Sequence, residues 1–368
     1  MKKRVIVAMS GGVDSATAAG LLVREGFEVI GVTMRLWTSE DPDAAPAHRR
    51  CCSVEDVDDA CAAAQALDIP HYVLNLEREF QRRVVDYFVG EYARGRTPNP
   101  CLACNEHVKF RALLERAVAL EADYLATGHY ARIGRANGHA GGDGRLRLLR
   151  AADPEKDQSY VLYTLGQAEL SRLLFPVGEY PKPEVRRLAA QMGLPVCDKP
   201  DSAEICFVPG GDYRSFVAER VKSRAGAIVD TAGNRVGEHA GIVNYTVGQR
   251  RGLGVALGEK RFVTAIDPAR NLITIGPEED LLADTLLAED VSWVSGAPLP
   301  EGTPVEAKIR YRTPATPATV RPVDGGVEVR FLRGQRAITP GQAVVFYDGD
   351  DVLGGGTIVR AWRTTSAG

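Results

Sequence analysis

Ser10-Gly11-Gly12-Val13-Asp14-Ser15 is a string whose glycines and serines suit the binding of an anion. Glycines let a backbone turn tightly and bring its N–H groups against an anion with no Cβ in the way. Ser10 and Ser15 add hydroxyl donors, and a helix starting here would aim its positive end at the same point. The chemistry is that of a pyrophosphate cradle. No lysine follows the second glycine, as the phosphate loop of kinases requires, and the third glycine of the dinucleotide fingerprint is missing. The plain alternative is a tight strand-to-helix turn with a capping serine. A second group of reactive residues is sulfur. Of the seven cysteines, Cys104 lies in Asn99-Pro100-Cys101-Leu102-Ala103-Cys104-Asn105 and Cys206 in Asp201-Ser202-Ala203-Glu204-Ile205-Cys206-Phe207. Turn residues flank both, so both are expected on loops with accessible thiols. Cys61 falls on an amphipathic helical pattern and is expected to be buried; Cys197 reads as structural. Cys51-Cys52 reads as a small-residue entry to the helix beginning at Val54.

The elements that must position these groups alternate between strand and helix. Val5–Met9 reads as a strand and Ala16–Arg24 as a helix stopped by Gly26. Val29–Thr33, His71–Leu76 and Tyr124–Thr127 read as further strands. Val54–Leu67, Phe80–Arg94 and Lys109–Ala119 have helical spacing, and the breaker-rich Gly95–Pro100 precedes the first cysteine string. This alternation predicts a parallel sheet covered by helices. Asn137–Gly144 reads as a surface turn, followed by a helical region through Met192 and a second cysteine loop over Ser202–Pro209. From about Tyr213 glycines punctuate β-rich runs: Asn244–Val247, Arg261–Ile266 and Leu272–Ile275. From roughly Leu286 five runs, Val305–Tyr311, Thr319–Pro322, Gly326–Phe331, Ala343–Tyr347 and Gly356–Ala361, have the spacing of a small barrel or sandwich. The expected organisation is an α/β protein with an N-terminal parallel-sheet catalytic domain (1–212), a small central domain (213–284) and a C-terminal β-barrel (285–368).

Composition narrows the classes. The chain has 368 residues, 45% of them apolar and 25% charged, the balance of a globular protein of two or three domains. No apolar run approaches the roughly 20 residues that span a bilayer. Met1-Lys2-Lys3-Arg4 followed by apolar residues has the outline of a leader, but the run is too short and meets a glycine turn. A cytoplasmic protein with no membrane partner is expected. An odd number of cysteines in such a chain argues against a disulfide framework and for reduced thiols. A net charge of −3 does not favour nucleic acid, so an RNA partner would need local basic surface.

The serine–glycine string resembles that of the PP-loop ATP pyrophosphatases, which split ATP into AMP and pyrophosphate and activate a carbonyl oxygen as its adenylate. The resemblance implies that ATP lies against Ala8, Met9, Ser10, Gly11, Gly12, Val13, Asp14 and Ser15. It further implies Mg²⁺-pyrophosphate beside Asp14, adenosine at Met34 and a backbone contact at Gly128. Seven strings in order, SGGVDS, GRTPNPCLACN, ATGHYAR, KDQSYVLY, KPDSAEICF, YTVGQRRGLG and IRYR, cover nearly the whole chain and resemble the tRNA-specific 2-thiouridylases. This implies ATP-dependent adenylation of the 2-carbonyl of a wobble uridine in the lysine, glutamate and glutamine tRNAs. Cys206 would carry sulfane sulfur, received from a sulfur-relay protein or a cysteine desulfurase. Cys104 would resolve the persulfide, leaving a Cys104–Cys206 disulfide; thiol–disulfide exchange needs two such thiols. A reactive Cys206 requires a lowered pKa, and Lys199 is a candidate source of positive charge. The anticodon stem-loop would meet Asn99, Pro100 and Cys101 at the target base. His129, Lys156, Asp157 and Gln158 would lie along the RNA near the catalytic domain, with Gln342 a further contact. Arg310 and Tyr311 offer a cation and a stacking face, although an ordinary strand with alternating faces would also place them. Arg250-Arg251, between glycines, reads as a phosphate-tracking loop.

This chain departs from the family pattern at Cys101, where some members carry aspartate. Cys101, Cys104 and Cys206 could together hold a [4Fe–4S] cluster with one open iron. A zinc site would want a fourth ligand, for which His107 is nearby. The persulfide, cluster and zinc readings all stay open in the sequence. Two other functions compete with tRNA thiolation. One is a PP-loop synthetase acting on a small molecule, which would not need Cys104 or Cys206. The other is an RNA-binding protein with a decayed ATP site, against which the intact serines, glycines and Asp14 speak.

Overall fold

The computed structural model describes residues 2–37, 54–135, 144–200, 205–255 and 258–364. Cys51-Cys52, nearly all of the Asn137–Gly144 turn and the Ser202–Glu204 part of the second cysteine loop lie outside these residues.

The first half alternates as its pattern requires. Strand β1 (Arg4–Ala8) leads to helix α1 (Val13–Arg24), β2 (Glu28–Arg35), α2 (Val54–Ala66) and β3 (His71–Asn75). A continuous helical segment follows: α3 (Glu77–Phe80), a π-helical stretch (Gln81–Val85) and α4 (Asp86–Ala93). A second such segment comprises α5 (Pro100–Ala103), a π-helical stretch (Cys104–Ala112) and α6 (Leu113–Ala119), before β4 (Tyr124–Thr127). Next come β5 (Arg132–Arg135), β6 (Leu146–Leu149), α7 (Gln167–Leu170), β7 (Leu173–Leu174) and α8 (Lys182–Gln191). Strands β3-β2-β1-β4-β7 form one five-stranded sheet, parallel throughout.

Alternate residues of β1 feed two separate cores, as a strand buried on both faces must. Val5 and Val7 pack with Ala16, Ala19 and Leu22 of α1 and Ala60, Ala63 and Ala64 of α2. Ile6 and Ala8 pack in the opposite cluster with Phe80, Phe88, Val108 and Leu113. Because β2 and β4 flank β1 on either side, the chain leaves the sheet in opposite directions there. Ligands of such sheets bind outside the carboxyl ends of the strands at this switch point, here the ends of β1 and β4.

After a short helix, α9 (Tyr213–Ala218), a smaller sheet of order β10-β11-β8-β9 forms from β8 (Gly226–Val229), β9 (Arg235–His239), β10 (Phe262–Asp267) and β11 (Leu272–Gly276). It has its own core of Ile228, Val263, Ile273 and Ile275. The remaining strands are β12 (Leu282–Trp293), β13 (Thr303–Lys308), β14 (Thr316–Val323), β15 (Gly326–Arg336), β16 (Ala343–Asp348) and β17 (Asp351–Trp362). They run β12-β15-β14-β13-β16-β17, and β12 pairs again with β17, so the sheet closes into a six-stranded antiparallel barrel.

Two features differ from expectation. The Asn244–Val247 run is not a strand; a 3₁₀ turn occupies Ile242–Asn244. The β5–β6 hairpin of the first domain also extends the barrel, through antiparallel pairing of Leu149 with Asp351 and Leu148 with Val352. The barrel is therefore joined to the first domain by strand pairing, although the five-stranded sheet itself stays separate. Val345, Tyr347 and Val352 lie in the same core cluster as Ile6 and Phe88.

Candidate functional site

The phosphate loop lies between β1 and α1, at the carboxyl end of β1. Ser10 N donates to Ser15 Oγ at 3.0 Å, and Ser15 Oγ donates to Gly12 O at 3.1 Å. This folds the loop back on the first turn of α1. Gly12 caps that helix with no side-chain hydrogen bond, which leaves the positive end of α1 to the loop itself. Gly11 has φ of +72°, and a Cβ there would run into the carbonyl of Asp56. Gly128, just after β4, would place a Cβ 2.6 Å from Ser15 N. At Gly128 the segment after β4 thus lies directly against the main chain of Asp14 and Ser15. Ala8, Met9, Val13 and Met34 are buried; whatever they offer a ligand at this edge comes chiefly from their main chain.

Asp14 is held by a residue that reading the sequence did not identify. Lys182 Nζ donates to both carboxylate oxygens at 2.7 and 2.8 Å, and Tyr130 OH donates to Oδ1 at 2.7 Å. Lys182 is buried, which an unpaired ammonium would not tolerate. It starts α8 after Pro181, far along the chain, so no local string could have linked it to Asp14. Tyr130 is in turn fixed by Gln158: Tyr130 N donates to Gln158 Oε1 at 2.9 Å, and Gln158 N to Tyr130 O at 2.8 Å. Gln158, expected on the RNA, here props the residue that holds Asp14.

The first cysteine string is helical, in contrast to the expected loop. Asn99 Oδ1 accepts from Cys101 N at 3.1 Å as an N-cap, and Pro100 occupies the first helical position, where its missing N–H costs nothing. The Nδ2 donor of Asn99 takes no part in this cap. Cys101 is exposed, whereas Cys104 opens the π-helical stretch and is buried. Beside it Asn105 Nδ2 donates to Val161 O at 3.0 Å, while its buried Oδ1 has no hydrogen-bond partner among the described residues.

Cys206 is half-buried and packs against the same cluster to which Cys104 belongs. Its neighbour Phe207 anchors the segment, with its ring 5.3 to 6.4 Å from those of Phe88, Phe216, Phe80 and Trp37. Two thiols a hundred residues apart in the chain thus meet one interior. Lys199, the candidate source of positive charge for Cys206, is engaged by two carboxylates. Its ammonium pairs with Asp56 at 2.7 Å and with Asp59. Burial works against its charge, but these hydrogen bonds outweigh burial and hold its pKa above the ordinary value.

The residues expected on the RNA separate into two sets. Cys101, Lys156, Asp157 and Tyr311 come together. Burial first, then the charges of Asp157 and Cys101, raises the pKa of the Tyr311 hydroxyl, and Arg312 and Lys156 oppose the rise. Lys308, not anticipated, lies 5.7 Å from the Tyr311 ring centroid. Asp157 is buried and accepts from Ala151 N at 3.2 Å and from Ser159 N and Oγ at 3.0 Å. The second set faces inward. His129 packs between Phe110 and Phe175, and its Nδ1 lies 2.7 Å from Thr127 Oγ1. Burial, aided by Lys109, holds its pKa well below 6.5. Arg310 donates to Ala337 O and Thr339 Oγ1, both at 2.6 Å, and Gln342 Nε2 donates to Thr97 O at 2.7 Å. Arg310, Gln342 and Thr97 line a cavity of about 340 Å³ together with Thr246 and Gln249.

Among the described residues no three Cys, His, Asp or Glu side chains converge as a metal site would require. No helix among these residues is long and apolar enough to cross a membrane.

Three family models match the chain in succession. They are a tRNA methyl transferase HUP domain over residues 3–210, a tRNA methyl transferase PRC-barrel domain over 214–277 and an aminomethyltransferase β-barrel domain over 283–358. At full length the chain is 53% identical over 375 residues to a tRNA-specific 2-thiouridylase MnmA of a Roseiflexus species, covering 97% of this chain and 99% of that one. The proteins of the same name from Moorella thermoacetica and Pelotomaculum thermopropionicum are 52% and 49% identical, each covering at least 96% of both chains. The chain belongs to the tRNA-specific 2-thiouridylase (MnmA) family. In this member of the family the glycine–serine loop lies between β1 and α1, and Cys104 and Cys206 pack on one core cluster.

Proposed function

We propose that this chain is an ATP-dependent tRNA-uridine 2-sulfurtransferase acting on the wobble uridine of the lysine, glutamate and glutamine tRNAs. The observation that carries the reading is the presence, in one domain, of a backbone anion cradle and of Cys104 and Cys206 on a common core cluster. ATP supplies the leaving group, since a base carbonyl oxygen departs readily only as part of AMP. The residues available to hold it are the loop N–H groups and the hydroxyls of Ser10 and Ser15, with Lys182 for pyrophosphate oxygens and Asp14 for an accompanying Mg²⁺. A base extruded from the anticodon stem-loop would enter beside Asn99, Cys101, Lys156 and Tyr311.

In this scheme Cys206 arrives as a persulfide, loaded by a sulfur-relay protein or a cysteine desulfurase. Its terminal sulfur adds to C2 of the adenylated base and AMP leaves. Cys104, as thiolate, then attacks Cys206 Sγ. The bond between Sγ and the transferred sulfur breaks, a Cys104–Cys206 disulfide forms, and the base keeps the sulfur. The disulfide must be reduced before the next cycle. The family models describe methyl transfer, but a methyl group needs no pair of thiols; the cysteines favour sulfur. Pyrophosphate release should depend on tRNA. Release at full rate without RNA would instead support a small-molecule synthetase.

A further inference from the structure

Outside this site, three side chains from three elements form a second nucleophile. Cys61 Sγ on α2 lies 3.2 Å from His71 Nδ1 at the start of β3, and His71 Nε2 lies 2.8 Å from Thr33 Oγ1 on β2. Thr33 settles the tautomer. Its hydroxyl proton goes to Met9 O at 2.9 Å, a carbonyl that can only accept. Thr33 Oγ1 must therefore receive from Nε2–H, and Nδ1 is left with its lone pair facing the thiol. A nucleophile, a base and a group that orients the base are the parts of an activated thiol. Burial lowers the pKa of His71, so the imidazole is neutral and able to accept a proton. Cys61 and His71 are both only half-buried, so a small reagent can reach the sulfur.

We propose that Cys61, with His71 as base and Thr33 as positioning residue, is a separate site that accepts sulfane sulfur from low-molecular-weight persulfides. His71 Nδ1 takes the Cys61 proton as Sγ attacks the outer sulfur of R–S–SH. An S–S bond forms at Cys61, the donor's S–S bond breaks, and the departing thiolate takes the proton back from His71. Cys61 ends as a persulfide and the donor as a thiol, with no outside oxidant. Cys61 is carried by α2, whose Ala60, Ala63 and Ala64 pack in the cluster of Val5, Val7 and α1, whereas Cys104 belongs to the cluster of Ile6 and Ala8 and Cys206 packs against it. The site is thus on the other face of the sheet and cannot pass sulfur directly to them. Thr33 links it to the main chain of Met9, next to the phosphate loop.

The choice of electrophile rests on the sulfur-transfer reading, so the test dispenses with ATP and tRNA. Full-length Cys104→Ser/Cys206→Ser protein is treated with cysteine persulfide, and the labelling rate of each remaining thiol is read by peptide mass spectrometry. Cys197, half-buried against the same cluster, is the internal reference. Cys61 should label at least about tenfold faster than Cys197, and His71→Gln should slow Cys61 roughly a hundredfold while leaving Cys197 unchanged. Thr33→Val should slow it and Thr33→Ser restore it, a rescue that a purely packing role would not give. Cys61 labelling no faster than Cys197, or at an undiminished rate in folded His71→Gln protein, would overturn the proposal. If Cys61 labels as expected while tRNA thiolation fails, only the main functional reading falls.

Discussion

Asp14 is a carboxylate whose place and charge are set by residues far from it in the chain. Lys182 and Tyr130 fix its position and balance its charge. Replacing Lys182 with methionine leaves Asp14 without its ammonium and removes a cation from the phosphate site. Pyrophosphate release should fall roughly a hundredfold, the scale of losing one charge-stabilising donor; an unchanged rate would remove Lys182 from the site. His129 makes a separate prediction about stability. Its folded pKa is depressed below 6.5, so the unfolded chain takes the proton first. Stability contributed by the neutral ring is present above pH 6.5 and declines as pH falls below it, by at most about 1.4 kcal/mol per pH unit. Urea midpoints at pH 7.5 and 5.5 should therefore lie closer together in His129→Gln than in the parent protein. At this scale the sequence made the loop legible, because its glycines and serines are contiguous. It concealed Lys182, whose ion pair with Asp14 spans most of the first domain.

The elements that carry the cysteines were legible unevenly. Lys109–Ala119 has helical spacing and is helical, but the helix begins earlier, at Pro100. Gly-Arg-Thr-Pro-Asn-Pro reads as a string of breakers, yet Asn followed by Pro is also a cap and a first helical residue; that was the available signal. Asn99→Ala should cost about 1 kcal/mol and Asn99→Ser much less, as read by urea denaturation. Equal losses would show that the cap is not what holds this turn. Gly128 stands where β4 meets α1 with no room for a side chain. Gly128→Ala should abolish pyrophosphate release in a protein that still folds, because a Cβ presses on the backbone at Ser15. Strands β5, β6 and β7 escaped notice because runs of two to four residues carry too little period to stand out from turns.

The whole molecule converges on Thr97, just before the first cysteine string. Thr97 N donates to Pro340 O at 2.9 Å, Thr97 O accepts from Gln342, and Thr97 Oγ1 donates to Thr246 Oγ1 at 3.3 Å. The loop between β15 and β16 and the loop that carries Thr246 thus both grip the segment that leads to Cys101 and Cys104. Gln342→Ala should lower the rate of tRNA thiolation while leaving ATP binding in place; an equal loss of both would point to general destabilisation. The fold class was legible because strand–helix alternation and later β-spacing are long-range patterns. The barrel's union with the β5–β6 hairpin was not, since pairing between distant edges leaves no mark on local periodicity. The central claim is that Cys104 and Cys206 transfer sulfur to a base activated elsewhere in the same domain. It is tested most directly by mass spectrometry of tRNA nucleosides after reaction with the parent protein, Cys104→Ser and Cys206→Ser, with pyrophosphate measured alongside. Both variants should release pyrophosphate and form no 2-thiouridine; 2-thiouridine at the parent level from either variant would contradict the account.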